Sequence, residues 1–278
     1  MFTTEAGIHP QAYIEDGVII GKNVTIEPFA VVKRGVILED DVLIKSHAYL
    51  EGNTTIGKGT VIYPGASIGT KTQDKKYAGE TTYVKIGQYC EIREYVTINA
   101  SCGEGSVVSV GDHCLLMAYC HVAHNCTVGK GVIMANSAML AGHVEVEDYA
   151  ILGGMTPVHQ FVRIGAYAMV GGLSRITHDI PPYTLGAGIP YKLGGLNLVG
   201  LKRHAFPLEL RKDLTKAFKL TYRSSLNLKN ALIELEREMG DSPVIKHWID
   251  FAKRSQRGLI GLMDTSHPSE HFEDFLEE

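Results

Sequence analysis

Four histidines lie close together in the sequence, and their side chains are the ones best suited to chemistry. They are His121, His124, His143 and His159, all within residues 116–160. Imidazole titrates near neutral pH, so each of them could act as a general base. Clustered histidines could equally bind zinc, which in a catalytic site takes three protein ligands and keeps one position open to water. The histidines alone leave both chemistries open.

The elements that must position these histidines follow a six-residue repeat. In steps of six from Ile8 to Ile176, 26 of 29 positions are Ile, Leu, Val or Met. The residue four further along is Ala, Val, Thr, Cys or Ser at all 28 positions from Ala12 to Ser174. Such a pattern is typical of a parallel β-helix, in which each coil buries its inward side chains against its neighbours. Three hexapeptides make one coil, so residues 18 apart should stack at roughly 4.8 Å.

None of the four histidines falls on an inward position of this repeat. Adding 18 to His124 gives Gly142, directly before His143, and adding 18 again gives Gln160, directly after His159. We therefore expect the four imidazoles and the Gln160 carboxamide to converge at one corner of three successive coils. Several aligned outward histidines indicate a site more strongly than a single one would.

Two interruptions replace large inward residues but leave the phase of the repeat unchanged. The first, residues 70–85, carries Asp74 and Glu80 at inward positions. Inserted loops on a rigid solenoid often carry binding groups, although a merely solvated excursion is the alternative. The second, residues 100–109, is rich in glycine and shows no distinctive chemistry.

All five cysteines occupy the small inward position of the repeat. We interpret them as compact core residues rather than as a metal site or a disulfide framework. An odd number of cysteines, without an N-terminal signal segment, agrees with a reducing compartment. They are Cys90, Cys102, Cys114, Cys120 and Cys126.

Composition narrows the class of partner. The 278-residue chain has 27 Lys and Arg against 31 Asp and Glu, a net charge of −4, and no basic block. This argues against a nucleic-acid partner. No apolar run reaches the ~20 residues of a membrane span, and the N-terminus has no basic-then-apolar signal segment. We therefore expect a cytoplasmic protein without a transmembrane segment.

After the last repeat the pattern becomes helical. Pro207, Asn227 and the Ser242-Pro243 pair predict the starts of three helices, which should cover the open end of the solenoid. We divide the chain into a β-helix catalytic domain, residues 1–190 with the inserted loop 70–85, and a helical C-terminal domain, residues 191–278, that ends in an acidic tail. The fold class is mainly β.

Six segments in this order resemble the acyl-carrier-protein-dependent UDP-N-acetylglucosamine O-acyltransferases of lipid A biosynthesis, a family of hexapeptide-repeat acyltransferases. The resemblance extends to about Gly258 and implies that the β-helix is left-handed, which the repeat alone does not show. The segments are 73–80 (QDKKYAGE), 92–98 (IREYVTI), 121–129 (HVAHNCTVG), 140–144 (LAGHV), 153–161 (GGMTPVHQF) and 200–203 (GLKR).

The resemblance implies a reaction without an acyl-enzyme. A 3-hydroxyacyl or related chain passes from the phosphopantetheine thioester of acyl carrier protein to the 3-hydroxyl of the glucosamine unit of UDP-N-acetylglucosamine. His124 takes the place of the general base, and the backbone N–H of Gly142 that of the oxyanion donor. The protein needs no cofactor of its own, since the phosphopantetheine arrives on the carrier protein.

The resemblance also implies binding roles and an assembly. Gly172 stands at the position that sets acyl-chain length, and the family forms homotrimers with active sites between subunits. Basic residues of the C-terminal helices are candidates for contacting acidic acyl carrier protein. Substrate-binding roles fall to Asp74, Lys76, His121, His143, His159, Gln160, Asn197, Arg203 and His204.

The chain departs from the family pattern at two positions. Asn125 follows the expected base where aspartate is common, so carboxylate support for His124 is lost or comes from elsewhere, which lowers its expected basicity. Val199 replaces a glutamate that can contact the nucleotide. Both departures concern pH optimum and nucleotide affinity rather than the type of reaction.

Other functions stay open at this point. A zinc enzyme of the γ-carbonic anhydrase type would use His121, His124 and His143 as ligands, and a purely structural β-helix would use none of them. The acceptor could also carry a 3-amino group in place of the hydroxyl. A sister N-acyltransferase usually has an additional N-terminal sugar-binding domain, for which there is no room before the repeats begin at Ile8.

Overall fold

The hexapeptides form a parallel β-helix with three flat sheets. In the computed structural model, which describes residues 7–261, successive strands go to successive sheets, except that the last two join the same sheet as the strand before them. The expected left-handed β-helix is confirmed. Sheet 1 contains β1 (Tyr13–Ile14), β4 (Val31–Val32), β7 (Tyr49–Leu50), β10 (Ser67–Thr70), β13 (Thr97–Asn99), β16 (His121–Val122), β19 (Met139–Leu140) and β22 (Pro157–Val158). Sheet 2 contains β2 (Ile19–Ile20), β5 (Ile37–Leu38), β8 (Asn53–Ile56), β11 (Tyr83–Ile86), β14 (Val107–Val110), β17 (Thr127–Val128), β20 (Glu145–Val146) and β23 (Arg163–Ile164). Sheet 3 contains β3 (Thr25–Ile26), β6 (Leu43–Ile44), β9 (Val61–Ile62), β12 (Glu91–Ile92), β15 (Leu115–Leu116), β18 (Ile133–Met134), β21 (Ile151–Leu152), β24 (Met169–Val170), β25 (Thr184–Ala187) and β26 (Lys192–Leu196).

The inward positions of the repeat form the core, as predicted. In each two-residue strand the second residue points inward, and from Ile26 to Ile176 these residues are buried. Coils stack in the predicted register, so that Leu115 pairs with Ile133 and Ile133 with Ile151. The N–H of Ile133 donates to Ala150 O at 3.1 Å, and similar bonds join each coil to the next.

The turns between strands form three corners, which we name by the sheets they join: corner 1-2, corner 2-3 and corner 3-1. Most turns hold one residue in the left-handed region, for example His143 (φ 61°) at corner 1-2 and Tyr149 (φ 58°) at corner 2-3. Carboxylates accept several of the N–H groups that the strands leave unpaired. Glu147 Oε2, for instance, accepts from Ala166 N at 2.9 Å. These bonds satisfy the backbone at the edges of the prism.

Both interruptions of the repeat open at corner 1-2. The first lies between β10 and β11 and the second between β13 and β14. Stacked partners are therefore further apart in sequence there, since Ile68 pairs with Ile98 and Ile98 with Val122. The insertions also bind each other, because Thr81 N donates to Glu104 Oε2 at 3.0 Å and Gly105 N to Thr81 O at 2.8 Å. They form one braced structure over one corner.

The cysteine prediction is confirmed at four positions and wrong at one. Cys90, Cys114, Cys120 and Cys126 are buried, and their thiols donate to main-chain carbonyls such as Ala141 O, 3.1 Å from Cys126 Sγ. Cys102 is only partly buried. The sequence keeps the phase of the repeat through the second insertion, but the chain itself leaves the coil there and carries Cys102 out to corner 1-2.

The C-terminal segment contains the three predicted helices and a fourth, short one. Asn227 caps its helix through a 2.9 Å bond from Asn230 N, as predicted. The glycine-rich residues 186–195 lie in the antiparallel hairpin of β25 and β26, so the division at residues 190 and 191 falls inside a hairpin. The acidic tail lies outside the described residues. The helices are α1 (Leu198–Arg203), α2 (Leu208–Tyr222), α3 (Leu228–Met239) and α4 (Pro243–Lys253).

The last three helices pack together around Trp248 and against the end of the solenoid, where α2 contacts β26. Within residues 7–261, no helix combines the length and the apolar character needed to cross a bilayer.

A polar network fastens α4 to the β-helix. Glu147 accepts from His247 Nε2 at 2.9 Å and pairs with Arg163, whose Nη1 donates to Phe251 O at 3.1 Å. Tyr183 OH lies 2.7 Å from the other ring nitrogen of His247. Burial alone would raise the pKa of Glu147, but the bond from His247, the Ala166 N–H and the Arg163 charge outweigh it and lower the pKa below its usual value.

Glu147→Gln should therefore destabilise the protein at pH 7 by about 1.5–3 kcal/mol, the usual cost of losing hydrogen bonds to a charged group. The folded-state pKa of Glu147 is depressed, so its contribution is complete above the ordinary glutamate pKa of about 4.3 and disappears as pH falls through the folded value. Denaturation at fixed protein concentration should show a constant gap between variant and wild type from pH 7 down to about pH 4.3, and a narrowing gap at lower pH. Glu39→Gln is the matched control, because Glu39 accepts the Lys58 N–H at an equivalent turn without a helix packed on it. An equal loss in both variants would contradict the role of the junction.

Candidate active site

A cavity of about 710 Å³ lies at corner 1-2, between the stacked turns and the first insertion. Its walls gather most of the residues that the sequence predicted, together with apolar residues of sheet 1. Seven predicted residues line it: Asp74, Lys76, His121, His124, Gly142, His143 and Gln160. Three of the four imidazoles expected at this corner therefore line the cavity.

His124 is held from three sides. Its Nδ1 lies 2.9 Å from Asn125 Oδ1, and its Nε2 lies 3.7 Å from Asp74 Oδ2. The ring covers the Cα of Gly142 in the next coil, where an added Cβ would overlap Cε1 and Nε2. The 18-residue stacking thus places a glycine where the imidazole needs space.

Asp74 supplies the carboxylate that the sequence does not place after His124. The backbone N–H of Lys76 donates to Asp74 Oδ1 at 2.9 Å and, as the largest cause, lowers the pKa of this carboxyl. Asp74 is therefore ionised at neutral pH. The carboxylate beside the imidazole comes from the first insertion, and the expected loss of support at Asn125 is offset at the opposite nitrogen.

His121 and His143 flank His124 as neutral groups. His121 Nδ1 lies 2.8 Å from Thr97 Oγ1, and burial lowers the pKa of His121, with a smaller effect from His124. His143 stacks on Phe161 with ring centroids 4.6 Å apart, and burial likewise lowers its pKa. At pH 7 both rings can exchange hydrogen bonds with a bound polar molecule without adding charge.

Sequence reasoning missed several residues of the cavity. Thr97 orients His121. The sequence could have predicted this contact, because the second insertion adds six residues to the 18-residue stacking distance and Thr97 lies 24 positions before His121. Asn99 is buried in the wall, where its Nδ2 donates to Thr70 Oγ1 at 3.0 Å. Met139 and Pro157 continue the outward column of His121 and give the cavity an apolar side.

The remaining predicted residues lie elsewhere in the chain. His159 lies at corner 1-2, as expected, but its side chain is exposed and does not line the cavity, and its Nδ1 lies 3.0 Å from Gln160 O. Asn197 caps α1 and donates to Tyr167 O at corner 2-3, where His204 contacts the Tyr167 ring at 5.0 Å. Arg203 is exposed beside His204. Gly172 lies at corner 3-1, next to Gly154.

The zinc alternative requires three donors around one point. Among the residues that the structure describes, no group of three His, Cys, Asp or Glu side chains has this arrangement. The Nδ1 atoms of His121 and His124 instead face Thr97 and Asn125. This geometry favours hydrogen bonding and proton transfer.

Known proteins share this sequence and fold. The profile of UDP-N-acetylglucosamine O-acyltransferase, domain 2, matches residues 179–260, and that of bacterial transferase hexapeptide (six repeats) matches residues 5–34, 35–70 and 107–142. The acyl-(acyl-carrier-protein)-UDP-N-acetylglucosamine O-acyltransferase of Chlamydia caviae is 57% identical over 253 residues, 91% of each chain. That of Chlamydia pneumoniae is 54% identical over 260 residues, 93% of each chain. The UDP-N-acetylglucosamine acyltransferase structure from Bacteroides fragilis has a TM-score of 0.88 at 40% identity, covering 91% of this chain and 99% of that one.

Gly142→Ala should push the His124 ring out of its position, because the new methyl group would occupy the same space. The ring is the end of a flexible side chain, so the fold should survive at a cost of about 1 kcal/mol for the lost hydrogen bond to Asn125. A crystal structure of the variant would show the displaced ring, and thermal denaturation would show the intact fold. A ring that keeps its wild-type position above the added methyl group would contradict this account of the glycine.

Proposed function

This chain belongs to the UDP-N-acetylglucosamine O-acyltransferase family, and from that premise we propose that it transfers an acyl chain from acyl carrier protein to the 3-hydroxyl of the glucosamine unit of UDP-N-acetylglucosamine. This ester is the first product of lipid A biosynthesis. One observation carries the assignment of the site: the His124 imidazole is fixed between Asn125 and Asp74 and faces the cavity.

His124 is the general base of the proposed reaction. Its Nε2 removes the proton of the 3-hydroxyl as the sugar oxygen attacks the thioester carbonyl carbon, a role worth typically 10²–10⁴-fold in rate. The tetrahedral intermediate collapses with cleavage of the C–S bond, and the imidazolium returns the proton to the phosphopantetheine sulfur. The products are the O-acylated sugar nucleotide and the free thiol of the carrier protein.

Asp74 and Gly142 stabilise the charges that appear during this step. The ionised carboxylate of Asp74, 3.7 Å from Nε2, opposes the positive charge of the imidazolium. The N–H of Gly142 borders the cavity and donates to no acceptor in the described part of the chain. It is therefore free to donate to the oxyanion of the intermediate.

The other predicted residues bind substrate in this proposal. Lys76, His121, His143 and Gln160 border the same cavity as His124 and can hold the sugar and its diphosphate. The apolar side formed by Met139 and Pro157 suits the first part of an acyl chain. The carrier protein delivers that chain, so the enzyme itself needs no cofactor.

The separation of the predicted residues over three corners supports a homotrimer with a site between subunits. Asn197, Arg203, His204 and Gly172 lie at corners 2-3 and 3-1 and can reach the cavity only from another copy of the chain. Arg203 would then offer its planar guanidinium to a phosphate, and Gly172 would leave room for a long acyl chain. Sheet 3 is suited to such contact, since its outward column is mostly apolar: Leu43, Val61, Leu115, Ile133, Ile151 and Met169.

We also place the reaction in the cytoplasm. The cysteines of the solenoid are free thiols, which is the usual state in a reducing compartment.

His159, which lies outside the cavity in a single chain, keeps a role in this proposal only as a residue near the entrance.

His124→Ala should lower kcat by about 10²–10⁴-fold while the fold is retained, because the side chain lies outside the core. The assay is acyl transfer from carrier-protein thioesters of several chain lengths to UDP-N-acetylglucosamine. His113→Ala is the matched control, since His113 is an exposed turn histidine at corner 2-3 and should leave the rate unchanged.

The same assay decides between acceptors and bases. Transfer by the wild type to a 3-amino UDP-sugar alone would replace the oxygen acceptor in the proposal. Absence of transfer to either acceptor from every donor would overturn the proposed reaction, and an equal rate in wild type and His124→Ala would overturn the assignment of the base.

A further inference from the structure

The Asn125 side chain is hydrogen-bonded to the second insertion. Its Nδ2 donates to Cys102 O at 3.0 Å, and Cys102 N donates to its Oδ1 at 3.3 Å. The backbone N–H of Asn125 also donates to Ser101 Oγ at 3.2 Å. The sequence assigned no chemistry to this insertion, yet three of its hydrogen bonds end on the residue that follows His124.

These bonds determine which end of the carboxamide is the oxygen. In the reverse orientation the NH₂ group would face the Cys102 N–H, and the oxygen would face the Cys102 carbonyl, so both contacts would be repulsive. The atom 2.9 Å from His124 Nδ1 is therefore Oδ1. An amide oxygen only accepts hydrogen bonds, so Nδ1 carries a hydrogen, and in the neutral imidazole Nε2 is then the nitrogen with the lone pair.

From these contacts we propose that residues 100–106 are a positioning loop for the base. The main chain of Cys102 orients Asn125, and Asn125 fixes the tautomer and the ring direction of His124. Nε2 is thereby presented to the cavity in the form that can accept a proton. Asn125 does not line the cavity and in this proposal acts only through His124, so it is a positioning residue. The inference rests on the proposed function and deepens it.

The loop fits an amide better than a carboxylate. An aspartate at position 125 could still accept from His124 Nδ1, but it would offer no donor to Cys102 O and would place a charged oxygen against that carbonyl at about the 3.0 Å that Nδ2 now occupies. It would also add a second negative charge beside the ring, opposite Asp74. The first insertion thus supplies the charged neighbour of the imidazole, and the second insertion holds the neutral neighbour, Asn125, while Thr81 and Glu104 join the two insertions.

Asn125→Ala should lower kcat at least tenfold, within the range that a general base contributes, while KM for UDP-N-acetylglucosamine changes less than about threefold. The tautomer is read directly from the ¹⁵N spectrum of protein labelled in histidine, with the His124 signals assigned from their loss in His124→Gln. The wild type should show a protonated Nδ1 and an unprotonated Nε2, and Asn125→Ala should show a mixture of both tautomers.

Asn23→Ala is the matched control. Asn23 has nearly the same backbone conformation (φ 56° against 57° for Asn125) but lies at corner 2-3, where its side chain contacts Asp41. It should keep the wild-type kcat and the wild-type His124 spectrum. A kcat loss in Asn125→Ala with an unchanged His124 spectrum would mean a merely structural effect and would overturn the proposal.

The Asn125→Asp variant distinguishes the effect of the loop on residue 125 from the effect of a hydrogen-bond acceptor at His124 Nδ1. Because the loop selects an amide, this variant should be slower than the wild type although it retains an acceptor for Nδ1. A rate equal to or above that of the wild type would overturn the role of Cys102. The tautomer measurement needs no substrate, so it tests the positioning even if the wild type transfers no acyl chain, a result that would count against the proposed function alone.

Discussion

The structure depends on one constraint, which is that each coil of the solenoid must stack in register on the next. Backbone hydrogen bonds such as Ile133 N to Ala150 O tie the coils together, and the inward side chains fill the space between them. A shift of one residue would turn every inward side chain outward, so the register is strongly fixed. Fixed register means that a residue in one coil determines what its neighbour 18 positions later can be. His124 and Gly142 are such a pair, because the ring of one needs the missing side chain of the other.

The site arises where the chain departs from that regularity. Both insertions emerge at corner 1-2, the same corner that holds His124. The first brings Asp74 to Nε2 of the ring, and the backbone of Cys102 in the second holds Asn125, whose oxygen lies at Nδ1. The coils supply a rigid histidine, while the insertions supply its electrostatic surroundings. Neither part alone would hold an imidazole between a fixed amide oxygen and a charged carboxylate.

The sequence predicted the parts that follow from periodicity. The three-sheet β-helix, the buried pairs, the stacking of His124 on Gly142 and the starts of three helices are all confirmed. Periodicity failed where the chain leaves the coil, because Cys102 keeps the phase of the repeat while the loop carries it out of the core. It also could not predict α1, which is only six residues long, or the hairpin of β25 and β26, whose glycines resemble a linker.

The sequence could not predict the side-chain contacts of the site for a different reason. The bond between Asn125 and Cys102 depends on the path of a glycine-rich loop, and no spacing rule gives that path. The resemblance placed Asn197, Arg203, His204 and Gly172 near the substrate, whereas within one chain they lie at two other corners. In the proposed homotrimer these residues meet the cavity of another copy of the chain, and the spacing within one sequence does not predict such a contact.

The length of the two insertions determines how the loop sequences can change without affecting the coils. Each adds a whole number of hexapeptides, since the stacked spacing rises from 18 to 30 and 24 residues around them. The coils on either side therefore keep the same angular orientation, and the packing of the core does not depend on the residues of the loop. Loops of this kind can be replaced as units without changing the coils. A loop can therefore be lengthened, shortened or exchanged while the coils on either side keep their pairing, and the groups presented at this corner can change independently of the residues that pack the scaffold.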